Sequence, residues 1–296
     1  MSYSITVFTP TYNRRETLNK LYLSLIRQSF KDFEWLVVDD GSLDDTKSLI
    51  NQYKNEGILN IQYYYQKNSG KHIAINRGLD LAKGEWFFIV DSDDSLPWNS
   101  LAVLNRYMQN IETGLSGVVA RKAFENFNLI GDKFESHSFI SDHIERRYIK
   151  NLNGDLAEVY KTEVMKLYKF PIFEHQKFCA EGLMWNRIAK ENKALFVNNI
   201  VYFAEYLENG LSDNSIKNRR ESPDYAMLLY KELSEDRRLG IRMKARTYIN
   251  YWRFSFFSNY SFYKNWMNIN KNFLALLLLP LGFSMMIRDN YYLKNK

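Results

Sequence analysis

The chain has 296 residues, of which 46% are hydrophobic and 25% are charged, and its formal net charge is +6. Such a composition excludes a disordered chain, and the length suits one large domain or one domain with a smaller extension. The single cysteine, Cys179, excludes an internal disulfide, and the first residues lack the basic and apolar regions of a signal peptide, so we expect a cytoplasmic protein.

The first hundred residues alternate between short apolar runs and helical patterns. Strands are predicted at residues 5–9, 33–38, 60–66 and 86–90, with helices between them. Asn13 and Glu16 resemble a capping box, which predicts that the first helix begins at Asn13. This alternation favours βαβ units and a parallel sheet, in which ligands bind beyond the carboxyl ends of the strands.

The rest of the chain has less regular patterns. Residues 116–121 and 194–206 have strand character, 122–150 are predicted to form a long loop or an inserted lobe, and 181–190 have helical character. After residue 215 the chain becomes charged, aromatic and helical. We therefore predict a domain at residues 1–215, with two halves at 1–97 and 98–215, and a C-terminal helical extension at 216–296.

Three carboxylates, Asp91, Asp93 and Asp94, directly follow the apolar run 86–90. Like charges at this distance repel each other, and a cation or several N–H donors would offset the repulsion. In an extended chain Asp91 and Asp93 lie on the same side, and their hard oxygens suit Mg²⁺ or Mn²⁺. The alternative is a solvated turn whose acids cap the next helix.

A second acidic cluster, Asp39 and Asp40 followed by Gly41 and Ser42, ends another predicted strand. A carboxylate at this place can accept a hydrogen bond from a base N–H or from ribose hydroxyls. An Asp-Gly turn that caps the next helix is the alternative. Because both strands belong to one parallel sheet, we expect the two acidic clusters to share one edge of it.

Four segments in this order and spacing resemble the nucleotide-sugar half of family 2 glycosyltransferases with the GT-A fold: "TVFTPTYNRRETL", "WLVVDDGSLDDT", "NSGKHIAINRGL" and "GEWFFIVDSDD". The good match covers residues 4–97, and a weaker one extends to Ser212. The resemblance therefore implies that 1–97 is the nucleotide-sugar-binding half and 98–215 the acceptor-binding half. The resemblance implies an α/β protein with a Rossmann-like, mostly parallel sheet flanked by helices. It also implies a nucleotide-diphosphate sugar donor, a divalent metal, and transfer with inversion at the anomeric carbon.

The resemblance also implies roles for seven residues. Pro10, Tyr12 and Arg14 match the motif that packs around the base and ribose. Asp40 matches the carboxylate that reads the base, usually uracil, and Lys71 the basic residue near the base or diphosphate. Asp91 would hold the ribose, and Asp93 would hold Mn²⁺ or Mg²⁺ on the diphosphate.

Inversion requires a base that deprotonates the acceptor hydroxyl. In the family this is commonly the second acid of an acidic pair near the start of a late helix. The matching stretch is "FCAEGLMWNRIA", where Glu181 is followed by Gly182, so the acidic pair is broken. We predict Glu181 as the catalytic base; the alternative is an acid that only favours the helix dipole.

The C-terminal part of the chain concentrates the positive charge. From Ile241 onward there are nine Lys and Arg residues and one acid, Asp289, so this segment carries +8 and the first 240 residues carry a net −2. It also contains an uncharged run of fifteen residues, 273–287, which is shorter than the ~20 residues that a spanning helix needs. Basic and aromatic flanks favour contact with an anionic membrane surface. A helical hairpin packed against the catalytic domain or a second subunit is the alternative.

Together these features predict a metal-dependent inverting glycosyltransferase of the hexosyltransferase type. It would move a sugar from a nucleotide-diphosphate donor, a UDP-sugar, to a hydroxyl of a saccharide or lipid-linked saccharide during surface polysaccharide synthesis. We expect it at the inner face of the cell membrane, without a nucleic-acid partner, and the sequence leaves a homo-oligomer open. A nucleotidyltransferase or a non-catalytic nucleotide-sugar-binding module is the alternative. No dinucleotide or P-loop glycine motif is present.

Overall fold

The computed structural model describes residues 3–205 and 213–294. The chain forms two compact units. Unit 1 comprises Met1–Phe170 and Met184–Glu205, and unit 2 comprises Pro171–Leu183 and Tyr206–Lys296.

Unit 1 is built on a sheet that has eight strands in the described part of the chain. The strands are β1 (Tyr3–Thr11), β2 (Phe33–Asp39), β3 (Ile61–Tyr65), β4 (Gly84–Ile89), β5 (Leu115–Ala123), β6 (Ser138–Ser141), β7 (Leu156–Lys161) and β8 (Lys193–Phe203). The helices are α1 (Leu18–Ile26), α2 (Thr46–Glu56), α3 (Lys71–Leu81), α4 (Ser100–Gln109), α5 (Thr162–Leu167) and α6 (Gly182–Ile188). The first two residues of α6 are assigned to unit 2, whose first segment ends at Leu183.

The strand order is β3-β2-β1-β4-β7-β5-β8-β6. The strands β1 to β4 pair only in parallel with one another, and β5 is parallel to β8. The strand β7 runs antiparallel between β4 and β5, and β6 is antiparallel at the edge. This mostly parallel sheet with flanking helices confirms the predicted fold class.

Helices cover both faces of the sheet, which is why its central strands are continuous apolar runs. One face packs against α1, α2 and α4 around the buried rings of Trp35 and Phe88. On the other face α3 approaches β1 so closely that a Cβ at Gly78 would lie 2.2 Å from the Phe8 ring. Gly78 therefore lets α3 pack on the sheet, and this places the beginning of α3 beside the carboxyl ends of β1 and β2.

One local prediction is wrong. The helix α1 begins at Leu18, after Thr17, and Asn13 has a positive φ of 51° instead of capping the helix. Residues 122–150, for which a long loop or an inserted lobe is predicted, contain β6 and a one-turn π-helix, Glu145–Ile149. Buried Arg146 orders this region by donating a hydrogen bond to the carbonyl of Leu152 at 2.6 Å. Hydrophobic periodicity does not reveal such an interaction.

In its described residues, unit 2 contains six helices besides the beginning of α6. They are α7 (Ser215–Glu221), α8 (Pro223–Ser234), α9 (Ile241–Ser255), α10 (Phe262–Asn268), α11 (Phe273–Leu277) and α12 (Leu279–Lys294). A small core forms around the buried side chains of Tyr251, Trp252 and Phe254 on α9. The helical C-terminal region is thus as predicted. None of the helices in the described residues combines the length and the apolar composition needed to cross a lipid bilayer.

Candidate functional site at the carboxyl ends of the sheet

The candidate site lies where β1, β2 and β4 end and α3 begins. Because these strands are parallel and adjacent, the loops that follow them meet at one edge of the sheet. Residues 12–14 follow β1, Asp40 follows β2, Lys71 is the first residue of α3, and residues 91–94 follow β4. The expectation that both acidic clusters share one edge is confirmed.

The acidic residues after β4 form a turn. The N–H of Asp94 donates to the carbonyl of Asp91 at 3.2 Å, so this segment is not extended as the sequence predicted. The strand ends at Ile89, and the chain turns before the antiparallel bridge between Ser95 and Phe203. Asp91 and Asp93 are half-buried in this turn, and Asp94 is buried.

Two cationic side chains offset the repulsion among these carboxylates. The Nζ atom of Lys71 lies 2.5 Å from Oδ1 of Asp91. The Nη2 atom of Arg14 lies 3.5 Å from Oδ2 of Asp93. The structure therefore brings together four of the residues predicted from the sequence, each acid with its own basic partner.

The three carboxyl groups differ in pKa. Burial opposes the ionisation of Asp91, but Lys71 and Lys122 nonetheless hold its pKa below the ordinary value. Burial, and then the negative charge of Asp91, raise the pKa of Asp93. The same two causes raise the pKa of Asp94 to about 6. Asp91 is thus the carboxylate that the site keeps ionised most firmly.

Tyr202 and Lys122 belong to this cluster and were not predicted from the sequence. The Tyr202 hydroxyl donates to Oδ2 of Asp94 at 2.5 Å and accepts from the N–H of Asp91 at 3.0 Å. Burial, followed by the charge of Asp91, raises the pKa of Tyr202 well above its ordinary value, so it remains a donor. The Nζ atom of Lys122 lies 3.9 Å from the centre of the Tyr202 ring. Tyr202 is 111 residues from Asp91 along the chain, so no short motif could reveal it.

Asp40 is buried and supports the loop before α3. Its Oδ1 accepts from the Gln66 side chain and from the N–H of Ser69, at 2.7 and 2.8 Å. Its Oδ2 accepts from the N–H of Gly70 at 2.7 Å. These donors use three of the roughly four lone-pair positions that a carboxylate offers, which leaves one position for a ligand.

The segment after β1 is held by the loop after β2. The side chain of Asn13 accepts from the N–H of Leu43 at 2.8 Å, which explains why Asn13 does not cap α1. Tyr12 is exposed at this edge, whereas Pro10 is buried within β1 opposite Val38. Pro10 therefore shapes the strand end, and Tyr12 presents a ring to solvent.

Glu181 belongs to unit 2, where it is half-buried and directly precedes α6. Trp185, on the same helix, is buried in unit 1 and stacks on Tyr160 with ring centres 5.6 Å apart. Trp185 is thus a core residue. The role of Glu181 as a base stays a prediction.

In the residues that the structure describes, no three His, Cys, Asp or Glu side chains cluster in a way that could hold a metal ion by themselves. The carboxylates of Asp91 and Asp93 offer hard oxygen ligands at the same edge. Mg²⁺ and similar ions are often held by one or two carboxylates together with substrate phosphates and water. The donor set therefore fits an ion that arrives with a phosphorylated ligand.

The profile of "Glycosyl transferase family 2" matches residues 6–176, which is more than half of the chain. The chain belongs to this family. The match confirms the resemblance drawn from the four segments, and it covers all the site residues predicted in unit 1.

Named relatives of this family 2 protein include bacterial transferases. It is 28% identical over 199 residues to the GalNAc(5)-diNAcBac-PP-undecaprenol beta-1,3-glucosyltransferase of Campylobacter jejuni, covering 66% of this chain and 62% of that protein. It is also 28% identical over 214 residues to glycosyltransferase GlyA of Streptococcus pneumoniae, covering 69% of this chain and 30% of that protein. The chain thus spans less than two thirds of the length of these relatives.

Solved structures share the fold. S. aureus TarS in complex with UDP-GlcNAc superposes with a TM-score of 0.67 at 20% identity, covering 97% of this chain and 81% of that one. Mannosyltransferase PcManGT from Pyrobaculum calidifontis, in complex with GDP-Man and Mn²⁺, has a TM-score of 0.59 at 18% identity, with coverages of 97% and 81%. At these identities the likeness concerns the fold alone.

Proposed function

We propose that this family 2 protein is a metal-dependent inverting glycosyltransferase that uses a UDP-sugar donor. The observation that carries the proposal is the cluster at the carboxyl ends of the sheet, where Lys71 pairs with Asp91 and Arg14 with Asp93. A nucleoside diphosphate presents both hydroxyl groups and negative charge. A site that alternates acids with bases can bind both.

The donor would lie along the edge formed by the loops after β1, β2 and β4. Tyr12 offers an exposed ring against which a base can stack, with Pro10 shaping the strand end. Asp40 has one acceptor position left for an N–H of the base, and Asp91 would accept from ribose hydroxyls. Support comes from the relatives of this fold whose structures contain UDP-GlcNAc or GDP-Man.

Asp93 would hold Mn²⁺ or Mg²⁺, with the donor's phosphates supplying further oxygen ligands. When bound, such an ion acts as a Lewis acid that stabilises negative charge on the leaving diphosphate. Lys71 would bind the same diphosphate and add to this stabilisation, and Arg14, which the resemblance assigns to the base and ribose, would bind beside Asp93. The Mn²⁺ in the mannosyltransferase structure supports this assignment.

Glu181 would act as the base. In the transfer step the acceptor oxygen forms a bond to the anomeric carbon, the bond from that carbon to the diphosphate oxygen breaks, and the hydroxyl proton passes to Glu181. The catalytic part would comprise residues 1–215. The C-terminal part would be the extension at 216–296.

The acceptor would be a hydroxyl of a saccharide or lipid-linked saccharide, at the cytoplasmic face of the membrane. The name of the Campylobacter jejuni relative includes an undecaprenol diphosphate, which supports a lipid-linked acceptor. The name of another relative, the putative teichuronic acid biosynthesis glycosyltransferase TuaG of Bacillus subtilis, supports a role in surface polysaccharide synthesis.

A thermal-shift experiment tests the donor and metal assignments. The protein is heated with UDP, GDP or no nucleotide, with and without Mn²⁺, and in parallel as the variant Arg14→Met. UDP with Mn²⁺ should raise the melting temperature most, since ligand at about 100 times Kd stabilises by ~2.7 kcal/mol. Arg14→Met should reduce that shift.

Failure of UDP to stabilise the protein with or without metal would contradict the proposed donor. A shift by UDP that is followed by neither sugar transfer nor hydrolysis of UDP-sugars would favour a non-catalytic binding module. Transfer of a nucleotidyl group to a sugar phosphate would favour the nucleotidyltransferase alternative.

A further inference from the structure

The last three helices of unit 2 expose an unusual number of large apolar side chains. Phe273, Leu277 and Tyr291 are 70%, 60% and 74% exposed. The other exposed apolar residues on α10 and α12 are Phe262, Tyr263, Met267, Leu281, Phe283, Ile287 and Tyr292. We call these ten residues, together with Lys264, Lys271, Arg288 and Lys294, the α10–α12 surface.

Contacts with α9 fix which face of α12 is exposed. Asp289, on the inner face of α12, accepts from Nε and Nη2 of Arg253 at 2.5 and 2.8 Å, and both side chains are buried. A Cβ at Gly282 would lie 2.5 Å from the Trp252 Cβ, so the two helices approach closely there. Because this inner face of α12 packs against α9, the opposite face of α12 is the one exposed to solvent.

The segment between α10 and α12 is held by the same helix. The indole N–H of Trp252 donates to the carbonyl of Ala275 at 2.7 Å. The Trp252 ring also stacks on Phe262, with ring centres 5.7 Å apart. These contacts hold the α10–α12 surface in one arrangement.

The charge of this surface has a single sign. Lys264, Lys271, Arg288 and Lys294 are all exposed. After Gly240 the sequence contains one acid, Asp289; its carboxylate is buried against Arg253, and Nη2 of Arg288 lies 3.7 Å from it. Glu235, just after α8, borders the surface and accepts from the side chain of Asn270 at 3.4 Å. Exposed aliphatic and aromatic groups beside several basic residues are the composition that binds the interface of an anionic bilayer.

We propose that the α10–α12 surface binds the interface of a bilayer rich in anionic lipids, lying on the membrane and not crossing it. The helices here lack the length and apolar composition that spanning requires, as in the rest of the described chain. A second copy of the chain fits this surface less well. In a two-fold symmetric interface the same patch faces itself, so four exposed positive charges would meet four others.

This inference does not depend on the proposed function, because it concerns lipid binding and not transfer. Vesicle binding is measured with the full chain by flotation on vesicles of phosphatidylcholine alone and of phosphatidylcholine mixed with phosphatidylglycerol. The protein should float with the mixed vesicles only, and added salt should weaken its binding.

Two variants separate the charged and apolar contributions. The triple variant K264E/K271E/R288E should lose roughly a hundred-fold or more in partitioning to mixed vesicles, since each basic residue near an anionic surface contributes about five-fold. The triple variant F273S/L277S/Y291S should lose roughly ten-fold or more. Matched controls elsewhere are K47E/K54E on α2 and I58S/L167S, all exposed in unit 1, and they should bind as the native chain does.

A third experiment remains valid if a triple variant fails to fold. In a Cys179→Ser background, Leu277→Cys labelled with an environment-sensitive fluorophore should shift to the blue on mixed vesicles, and Leu167→Cys should not. Equal vesicle binding by the native chain and both triple variants would overturn the proposal. So would a dimer that dissociates in F273S/L277S/Y291S while vesicle binding is unchanged, since the surface would then be a subunit interface.

Discussion

The candidate site in unit 1 and the α10–α12 surface in unit 2 differ in how their charged side chains are arranged. At the site, basic and acidic side chains alternate within a few ångströms, and Lys71 lies 2.5 Å from Asp91. On the α10–α12 surface the basic groups are exposed beside apolar ones, and the acid of that region, Asp289, is buried. Paired and half-buried charges suit a small ligand that carries both donors and anionic groups. Exposed charges of one sign suit an extended anionic surface.

The most severe test of the site is Asp93→Ala. Removing the proposed metal ligand should lower metal-stimulated transfer or hydrolysis of a UDP-sugar by about 10³-fold or more, because charge on the leaving diphosphate loses its stabilisation. The thermal shift by UDP should no longer depend on Mn²⁺. Glu85→Ala, at an exposed acid on β4, the strand that precedes Asp93, is the matched control. Retained activity in Asp93→Ala would refute the role of this carboxylate.

The stability of unit 1 should decrease at acidic pH, because burial lowers the pKa of His72 to about 4. His72 is neutral in the folded chain, so its contribution to stability is complete above pH ~6.5 and is lost as pH falls through about 4. His72→Gln should remove the part of this loss that is due to His72, roughly 3 kcal/mol over that window. The part due to His143, whose pKa burial also lowers well below the ordinary value, should remain. Denaturant unfolding at several pH values measures it.

The control for His72 is His175→Gln, at an exposed position of unit 2, in which the loss due to His72 should persist. If His72→Gln and the native chain lose stability in parallel between pH 6.5 and 4, another group causes the acid sensitivity, and the idea that burial keeps His72 neutral is wrong.

Glu181→Gln tests the base that the proposed transfer step requires. Turnover should fall by about 10²-fold or more while donor affinity changes only a few-fold, since a base acts in the transition state. Glu174→Gln, an exposed acid in the same segment, is the control. Unchanged turnover in Glu181→Gln would move the base to another residue.

The smallest expected effect is on the free energy of unfolding, and it is tested by making the same substitution, Lys to Met, in each of the two regions. Lys71→Met removes the partner of Asp91, and should lower the free energy of unfolding by about 1 kcal/mol and raise the pKa of that carboxyl. Lys271→Met, on the α10–α12 surface, should change stability by less than about 0.5 kcal/mol. Chemical denaturation measures both. Equal effects would mean that the two regions do not differ in how they use charge.

The sequence predicted the parallel half of the sheet because strands buried on both faces are continuous apolar runs that end at polar clusters. It did not predict β7, whose apolar run is short and contains Glu158. Nor did it predict Tyr202, which reaches the acidic turn only because β8 joins the same sheet. Long-range pairing of this kind has no local pattern.

Sequence alone thus determined the family, the fold class and the edge of the sheet where the acids gather, because these follow from local order and spacing. Tertiary structure decided how the acids are arranged. In the folded chain residues 91–94 form a turn and not an extended segment, and Asp91 and Asp93 contact separate basic side chains. Asp40 supports the loop before α3 by accepting a hydrogen bond from it. The reason is physical: a carboxylate's pKa and its available lone pairs depend on groups that come from distant parts of the chain.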